Sequence, residues 1–299
     1  MKVYSPSQTT LFLESSMKWA LSGDYETRKV DGRRDFARVL GAGFAAGMAK
    51  YNEWRRDTVP TPTQCPGDTV DAAVAAAIDC VGSQMLEFEG REIGERDAAQ
   101  RASILPRVER AVKKAIGGDP IPPDWKVITV ETTLGEAYGW TKPDLVVCDP
   151  RGVAPFDYKL KLAIRGKSPD ERAWNKEQLI ADYARSWQMY HYVWALSHGG
   201  QLVNHYYIAL TVLEPSFGID LFPYEVDPES LAQWEKFAWA TWERMERIEE
   251  GLELPVCAMG GCGSQYGPCE FQKLCWEFHY DWELAKFDYV RRRHRVQVG

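Results

Sequence analysis

The stretch PDLVVCDPRGVAPFDYKLKL, residues 143–162, decides the fold predicted for this chain. Two apolar segments are separated by the tetrapeptide Asp149–Gly152, in which Pro presets φ and Gly accepts a positive φ. Such a tetrapeptide predicts a turn, and the apolar segments on either side of it predict the two strands of a β-hairpin. With a four-residue loop, Cys148 pairs with Val153 and sets the register of the hairpin.

This register brings two carboxylates together. Counting back along both strands places Asp144 opposite Asp157. Because side chains alternate along a strand, Asp157 shares its face with Lys159 and Lys161. Facing carboxylates repel unless something neutralises them, and Mg²⁺ typically takes one or two carboxylates with water and phosphate oxygens. The hairpin therefore predicts a divalent-metal site, and a solvated face with charges of both signs is the alternative if a bulge shifts the register.

The elements around the hairpin predict a mixed sheet flanked by helices, which is an α/β (α+β) fold. The predicted helices cover 7–20, 33–54, 70–89, a mainly helical stretch to 116, 174–197 and 228–251, and the predicted strands cover 126–134, 143–148, 153–162, 203–213 and 217–226. Residues 163–172 are predicted to form a polar loop. The small-residue run GAGFAAGM, residues 41–48, predicts a close approach between its helix and a neighbouring element.

The domain prediction is one domain over residues 1–299, in three parts. A mainly helical part covers 1–120, a sheet and its following helix cover 125–226, and a helix with a cysteine-rich segment covers 228–299. No stretch approaches the roughly 20 apolar residues of a membrane helix, and the first residues lack the apolar core of a signal peptide. We therefore expect a cytoplasmic protein with no membrane partner.

The net charge of −7 argues against binding nucleic acid through bulk charge, but it leaves room for a local basic groove. Four of the seven cysteines fall in one short segment: Cys257, Cys262, Cys269 and Cys275. In a cytoplasmic chain such a cluster indicates metal before disulfides. The spacing C-x4-C-x6-C-x5-C is looser than the C-x2-C pairs of zinc ribbons, so a metal centre and free, partly buried thiols both stay open.

Pro143 to Lys159, read as PD-x12-DYK, resembles the signature of the PD-(D/E)XK nucleases. The following helix carries Gln188 and Tyr192 on one face, which resembles the Q-x-x-x-Y motif of RecB-like nucleases, including CRISPR-associated and phage exonucleases. The segments YSPSQTTLFLESSMKWAL near the N-terminus and YGPCEFQKLC near the C-terminus resemble the same branch. The resemblance implies a restriction-endonuclease-like core with a helical N-terminal part and a C-terminal cysteine-rich segment.

The resemblance also implies the activity, that of a metal-dependent DNA nuclease. The enzyme would be an exonuclease that hydrolyses the phosphodiester bonds of DNA. It would act in phage or bacterial DNA recombination, repair or processing. Asp144, Asp157 and the backbone carbonyl of Tyr158 would hold Mg²⁺ or Mn²⁺, with Glu131 as a further ligand. The expected location is the cytoplasm of a bacterial cell or a phage-infected host, and a recombination or repair protein is an expected partner.

Three further residues receive roles from the same resemblance. Lys159 would orient the attacking water and stabilise charge that develops on the phosphate. Gln188 would position Lys159 or the water. Tyr192 would contact the DNA backbone or brace the site.

Two departures from the family pattern bear on the cofactors. Ala45 stands where the family often has a His, so a His metal ligand is not expected. Ser15 or Ser16 replaces the usual N-terminal cysteine, so a 4Fe-4S cluster would need all four C-terminal cysteines, and zinc or no metal are the alternatives there.

Two readings from other classes compete with the nuclease. One is a catalytically inactive nucleic-acid-binding protein that keeps the nuclease fold. The other is a structural metal-binding interaction module that works through the cysteine segment, which leaves the hairpin carboxylates unexplained. Polarity, strandedness, endonuclease or exonuclease action and oligomeric state are not determined by the sequence.

Overall fold

A computed structural model describes residues 2–27, 32–58, 65–86, 95–139, 141–214, 217–255, 263–264, 267–268, 271, 274 and 289–291. Its helices are α1 (Pro6–Glu14), α2 (Ser16–Asp24), α3 (Gly32–Asp57), α4 (Gly67–Leu86), α5 (Glu95–Gly117), α6 (Pro169–Ala184), α7 (Trp187–His198) and α8 (Pro228–Glu249). Its strands are β1 (Tyr25–Thr27), β2 (Lys126–Val130), β3 (Leu145–Asp149), β4 (Gly152–Ala163), β5 (His205–Glu214), β6 (Gly218–Glu225), β7 (Gly263–Ser264), β8 (Gly267–Pro268) and β9 (Tyr289–Arg291).

The central sheet has the strand order β2-β3-β4-β5-β6. Neighbouring strands are antiparallel except for β4 and β5, which run parallel. A parallel pair requires a crossover connection, and α6 and α7 supply it. The predicted fold class, a mixed sheet flanked by helices, is confirmed.

Helices cover both faces of this sheet and form two cores. One face packs against α3, α4 and α5, and the strand side chains buried there are Val127, Leu145, Val147, Ala154, Phe156, Tyr158, Tyr207, Ala209 and Leu213. The other face packs against α7 through Val146, Met189, Tyr192, Val193, Leu196, Tyr206 and Ile208. Behind α7, a third cluster joins it to α1, α2 and α8. Since alternate residues face opposite ways, burying Phe156 and Tyr158 under α3 turns Asp157 and Lys159 toward α7.

The small residues of α3 make the close approach that the sequence predicts. A Cβ placed on Gly43 would lie 2.5 Å from Val81 Cγ2, and one on Gly47 would lie 2.6 Å from Val112 Cγ2. Both distances are shorter than any tolerable carbon–carbon contact, so only glycine lets α4 and α5 pack this closely on α3.

The prediction of one helix over 174–197 is wrong, because the structure has two helices in this region and the first begins earlier, at Pro169. The two helices form separately because Ser168 caps the N-terminus of α6 and Ser186 caps that of α7. Each serine hydroxyl accepts a hydrogen bond from a backbone N–H three residues later. Part of the predicted polar loop 163–172 is therefore the first turn of α6.

The predicted strand 126–134 is shorter than expected. It ends at Val130, because Glu131 has a φ of +44°, the only positive φ of a non-glycine residue in the described part of the chain. At such a φ the chain leaves the extended conformation, so the segment after β2 turns back toward the start of β3.

Among the described helices, α4 is long and apolar enough to cross a membrane by length and composition alone. One such helix is weak evidence for a membrane span, because a helix buried in a protein core passes the same test. Ala73 and Ala77 of α4 are fully buried and lie against Gly47 of α3.

Candidate active site

The hairpin has the register that the sequence predicts. Cys148 pairs with Val153, and a further pair, Asp149 with Gly152, leaves only Pro150 and Arg151 in the turn. The Oδ1 atom of Asp149 accepts hydrogen bonds from the backbone N–H groups of Arg151, at 2.7 Å, and Gly152, at 2.9 Å. This carboxylate therefore holds the turn closed and fixes the pairing of β3 with β4.

Asp144 lies directly before β3, at the end of the hairpin opposite to the turn. Its Oδ2 atom accepts a hydrogen bond of 2.7 Å from the backbone N–H of Tyr158. Burial and, second, the charge of Asp157 raise the pKa of Asp144 to about 7, although Lys159 and the hydrogen bond from the Tyr158 N–H act in the opposite direction. Without a compensating cation, this carboxylate is therefore destabilised in its ionised form.

Asp157 and Lys159 form an ion pair on β4. Asp157 is 1% exposed, and the amine of Lys159 lies 2.6 Å from its Oδ2 atom. Burial lowers the pKa of Lys159, but the charges of Asp157 and Asp144 outweigh burial and raise it. Lys159 is therefore a protonated ammonium group at neutral pH, held beside two carboxyl groups.

Gln188 connects α7 to this pair. Its Oε1 atom accepts a hydrogen bond of 2.9 Å from the amine of Lys159. Its Nε2 atom donates to Oδ1 of Asp157 at 3.4 Å and to the hydroxyl of Tyr192 at 2.6 Å. The Tyr192 hydroxyl in turn donates to the carbonyl of Lys142 at 3.1 Å. The two residues of the Q-x-x-x-Y motif thus lie in one hydrogen-bond chain with the residues of the hairpin.

The packing of α7 orients this chain. Met189 and Val193 are fully buried against the sheet together with Val146 and Ile208. Because residues three and four apart lie on the same helix face, Gln188 points along the edge of that buried face and toward β4.

Glu131 has a partner that sequence reasoning did not predict. The amine of Lys142 lies 2.6 Å from its Oε2 atom, and the Glu131 N–H donates to the carbonyl of Asp144 at 2.9 Å. Lys142 therefore contacts the site twice. Its amine pairs with Glu131, and its carbonyl accepts the hydrogen bond from Tyr192. The only sequence signal for Lys142 is its position directly before Pro143 and Asp144.

The donor set fits a hard divalent cation. The Oδ2 atom of Asp157 is buried and, apart from its ion pair with Lys159, accepts no hydrogen bond of good geometry from the described residues. In the part of the chain that the structure describes, no three His, Cys, Asp or Glu side chains form a metal-binding group. Mg²⁺ needs no such group, because it binds through one or two carboxylates and keeps several waters. Asp144 and Asp157 meet that requirement.

The four cysteines predicted to hold a cluster, Cys257, Cys262, Cys269 and Cys275, lie outside the described residues. Their metal therefore stays a prediction. Cys65, Cys80 and Cys148 are free thiols.

A mixed sheet with facing carboxylates and a lysine on one hairpin, tied to α7 by a glutamine, defines a nuclease-type site. The chain belongs to the PD-(D/E)XK nuclease superfamily, whose family model matches residues 3–276. No curated protein matches the chain significantly. The protein is therefore a nuclease-superfamily hydrolase with a nucleic-acid substrate, from a group that typically uses divalent metals such as Mg²⁺.

Proposed function

We propose that this protein is a metal-dependent deoxyribonuclease that hydrolyses phosphodiester bonds from the ends of DNA, in phage or bacterial recombination, repair or processing. The observation that carries the proposal is the continuous contact chain Asp157, Lys159, Gln188 and Tyr192, with Asp144 facing Asp157 across the hairpin. Within this group, burial and the charge of Asp157 raise the pKa of Asp144, and perturbed pKa values of this kind cluster at functional sites.

Asp144, Asp157 and the carbonyl of Tyr158 would hold Mg²⁺ or Mn²⁺. When bound, such an ion neutralises phosphate charge and lowers the pKa of a bound water. Glu131 is the least suited of the predicted ligands, because its carboxylate is already paired with Lys142.

Lys159 supplies a fixed positive charge for the reacting phosphate. Its ammonium group has three N–H donors. One points to Gln188 and one to Asp157, so one remains to donate to a phosphate oxygen or to orient the attacking water. A charge that is already in position when the phosphate gains negative charge stabilises the transition state without reorganisation.

Gln188 acts on Lys159 rather than on the substrate. Its amide has one orientation that satisfies all its contacts, with Oε1 toward the ammonium and Nε2 toward Asp157 and Tyr192. The Tyr192 hydroxyl anchors that orientation to the backbone at Lys142. The helix therefore limits the positions that the ammonium group adopts.

The test uses end-labelled linear DNA and covalently closed circular DNA, each with Mg²⁺, Mn²⁺ or EDTA. We expect the wild-type protein to degrade the linear DNA with either metal, to leave the circle intact and to be inactive in EDTA. Lys159→Ala should abolish cleavage, whereas Lys113→Ala, which removes an exposed lysine on α5, should not.

Each alternative gives a different result. Cleavage of the circle would make the enzyme an endonuclease. DNA binding without any cleavage by the wild type would favour the inactive nucleic-acid-binding protein. Cleavage by Lys159→Ala within a few-fold of wild type would remove Lys159 from the mechanism.

A further inference from the structure

A second lysine of β4 lies beside the site. Lys161 follows Lys159 by two residues, so both side chains leave the same face of the strand about 6.6 Å apart along it. The amine of Lys159 lies 5.9 Å and that of Lys161 lies 5.8 Å from the centre of the Tyr183 ring on α6. One aromatic ring therefore borders two ammonium groups.

The two lysines differ in their charge partners. Asp157 neutralises Lys159. Lys161 is half-buried, and within the described ranges no carboxylate forms an ion pair with it. Asp220 lies on β6, two strands from β4 in the sheet, and is already paired with Lys176 at 2.6 Å.

The surroundings of Lys161 disfavour its charge in the free protein. Burial lowers its pKa, and repulsion by Lys159 and Arg165 lowers it further. A contact with an aromatic ring recovers only part of the lost hydration. An amine that is half-buried, without an anionic partner and next to like charges indicates a site that an anion completes.

We propose that Lys161 binds a backbone phosphate of the DNA strand next to the phosphate that is cleaved. The inference rests on the proposed function, because it places the cleaved phosphate at Asp144, Asp157 and Lys159. The separation of Lys159 and Lys161 along β4 is comparable to that between adjacent phosphates of one strand. The Tyr183 ring would form the wall of this phosphate site between the strand and α6.

The test measures binding of a fluorescein-labelled single-stranded oligonucleotide in EDTA, where a metal-dependent enzyme does not cleave, over a series of salt concentrations. Lys161→Gln should weaken binding about tenfold at low salt, the effect expected for one charge-assisted hydrogen bond. The slope of log affinity against log salt should fall in magnitude by about 0.7, the value for one phosphate contact on a single strand. Lys161→Arg should keep the slope, and the matched control Lys113→Gln should change neither quantity.

Two further measurements separate this role from a structural one. Lys161→Gln should unfold in urea at the same or a higher denaturant concentration than wild type, since it removes an unpaired, half-buried charge. With Mg²⁺, the variant should raise KM while leaving kcat close to that of wild type, as expected when an interaction is the same in ground and transition states.

Unchanged affinity and salt slope in Lys161→Gln, an equal loss in Lys113→Gln, or a loss of binding that accompanies destabilisation would overturn the proposal. So would a wild-type protein that binds no oligonucleotide. The two proposals fail separately. A wild type that does not cleave, but whose oligonucleotide binding depends on Lys161, would refute the nuclease and support the phosphate site. Normal cleavage, together with oligonucleotide binding that does not depend on Lys161, would support the nuclease and refute the phosphate site.

Discussion

Replacing Asp144 with Asn removes one of two facing carboxylates while keeping nearly the same shape. In the free protein, burial and the charge of Asp157 raise the pKa of Asp144 to about 7. That value is about three pH units above the ordinary one, which corresponds to about 4 kcal/mol of destabilisation of the folded state above pH 7. Burying an Asn amide with incomplete partners costs about 1–3 kcal/mol, so we expect Asp144→Asn to stabilise the metal-free protein by about 1–3 kcal/mol at pH 8.

The pH dependence gives the sign of this effect. Between its unfolded and folded pKa values, Asp144 binds more protons in the folded state, so the stability of the wild type falls as pH rises from about 4 to about 7. Above pH 7, Asp144 is ionised in both states, so its destabilising contribution to the free energy of unfolding no longer changes with pH. The penalty for ionised Asp144 falls by about 2.7 kcal/mol between pH 7 and pH 5, so the stability advantage of Asp144→Asn over wild type at pH 8 should be lost at pH 5.

The assay is urea unfolding in EDTA and in excess Mg²⁺ at both pH values. At a Mg²⁺ concentration 100 times the dissociation constant of the Mg²⁺ complex, the free energy of unfolding of the wild type should rise by about 2.7 kcal/mol. That of the variant should rise much less. Cleavage should be abolished. A variant that is less stable than wild type in EDTA at pH 8, or that gains as much from Mg²⁺, would refute the paired-carboxylate site.

Asp149→Asn is the matched control on the same hairpin. Burial raises the pKa of Asp149, but hydrogen bonds from Tyr207 and the Arg151 N–H outweigh burial and lower it. Its carboxylate therefore stabilises the fold above its unfolded pKa. The control should destabilise the protein by about 1–3 kcal/mol at both pH values, which at pH 8 is the opposite sign to Asp144→Asn.

Three other predictions concern the helix, the core and the cysteines. Gln188→Ala should lower kcat about 100-fold through misplacement of Lys159 and change unfolding free energy by only about 1 kcal/mol; the exposed Gln178→Ala on α6 is the control, and equal activity of both variants would end the positioning role. Gly43→Ala should destabilise the protein by about 1–3 kcal/mol in urea because its Cβ overlaps Val81, whereas Gly41→Ala, with open space around it, should be neutral or stabilising. Anaerobically prepared protein should contain iron or zinc by elemental analysis, and the absence of both would contradict a metal centre at the four clustered cysteines.

The hairpin and its carboxylate pair were predictable because their determinants are local. The turn Pro150–Arg151 sets the register, and alternation along β4 then assigns Asp157 and Lys159 to one face. No longer-range contact enters that argument. The close packing at Gly43 was predictable for the same reason, since only small residues leave such space.

The arrangement of α6 and α7 was not predictable from periodicity. Apolar residues continue across the break, while the signal that separates the helices is the single capping hydroxyl of Ser186. The position of Lys142 was missed for a different reason. Its role depends on two long-range contacts, with Glu131 and Tyr192, and nothing in the local sequence specifies either.

The two ends of the hairpin divide structural and chemical roles between two aspartates. At the turn, Asp149 accepts enough hydrogen bonds to remain ionised at low cost. Five residues earlier, Asp144 accepts one backbone hydrogen bond and faces Asp157, so its ionised form is disfavoured. Because Asp149 fixes the register at the turn, the strand pairing holds Asp144 and Asp157 together at the opposite end of the hairpin, although their charges repel. The unfavourable charge pair can therefore persist in the free protein, and any cation that binds between the pair gains the free energy that their repulsion costs.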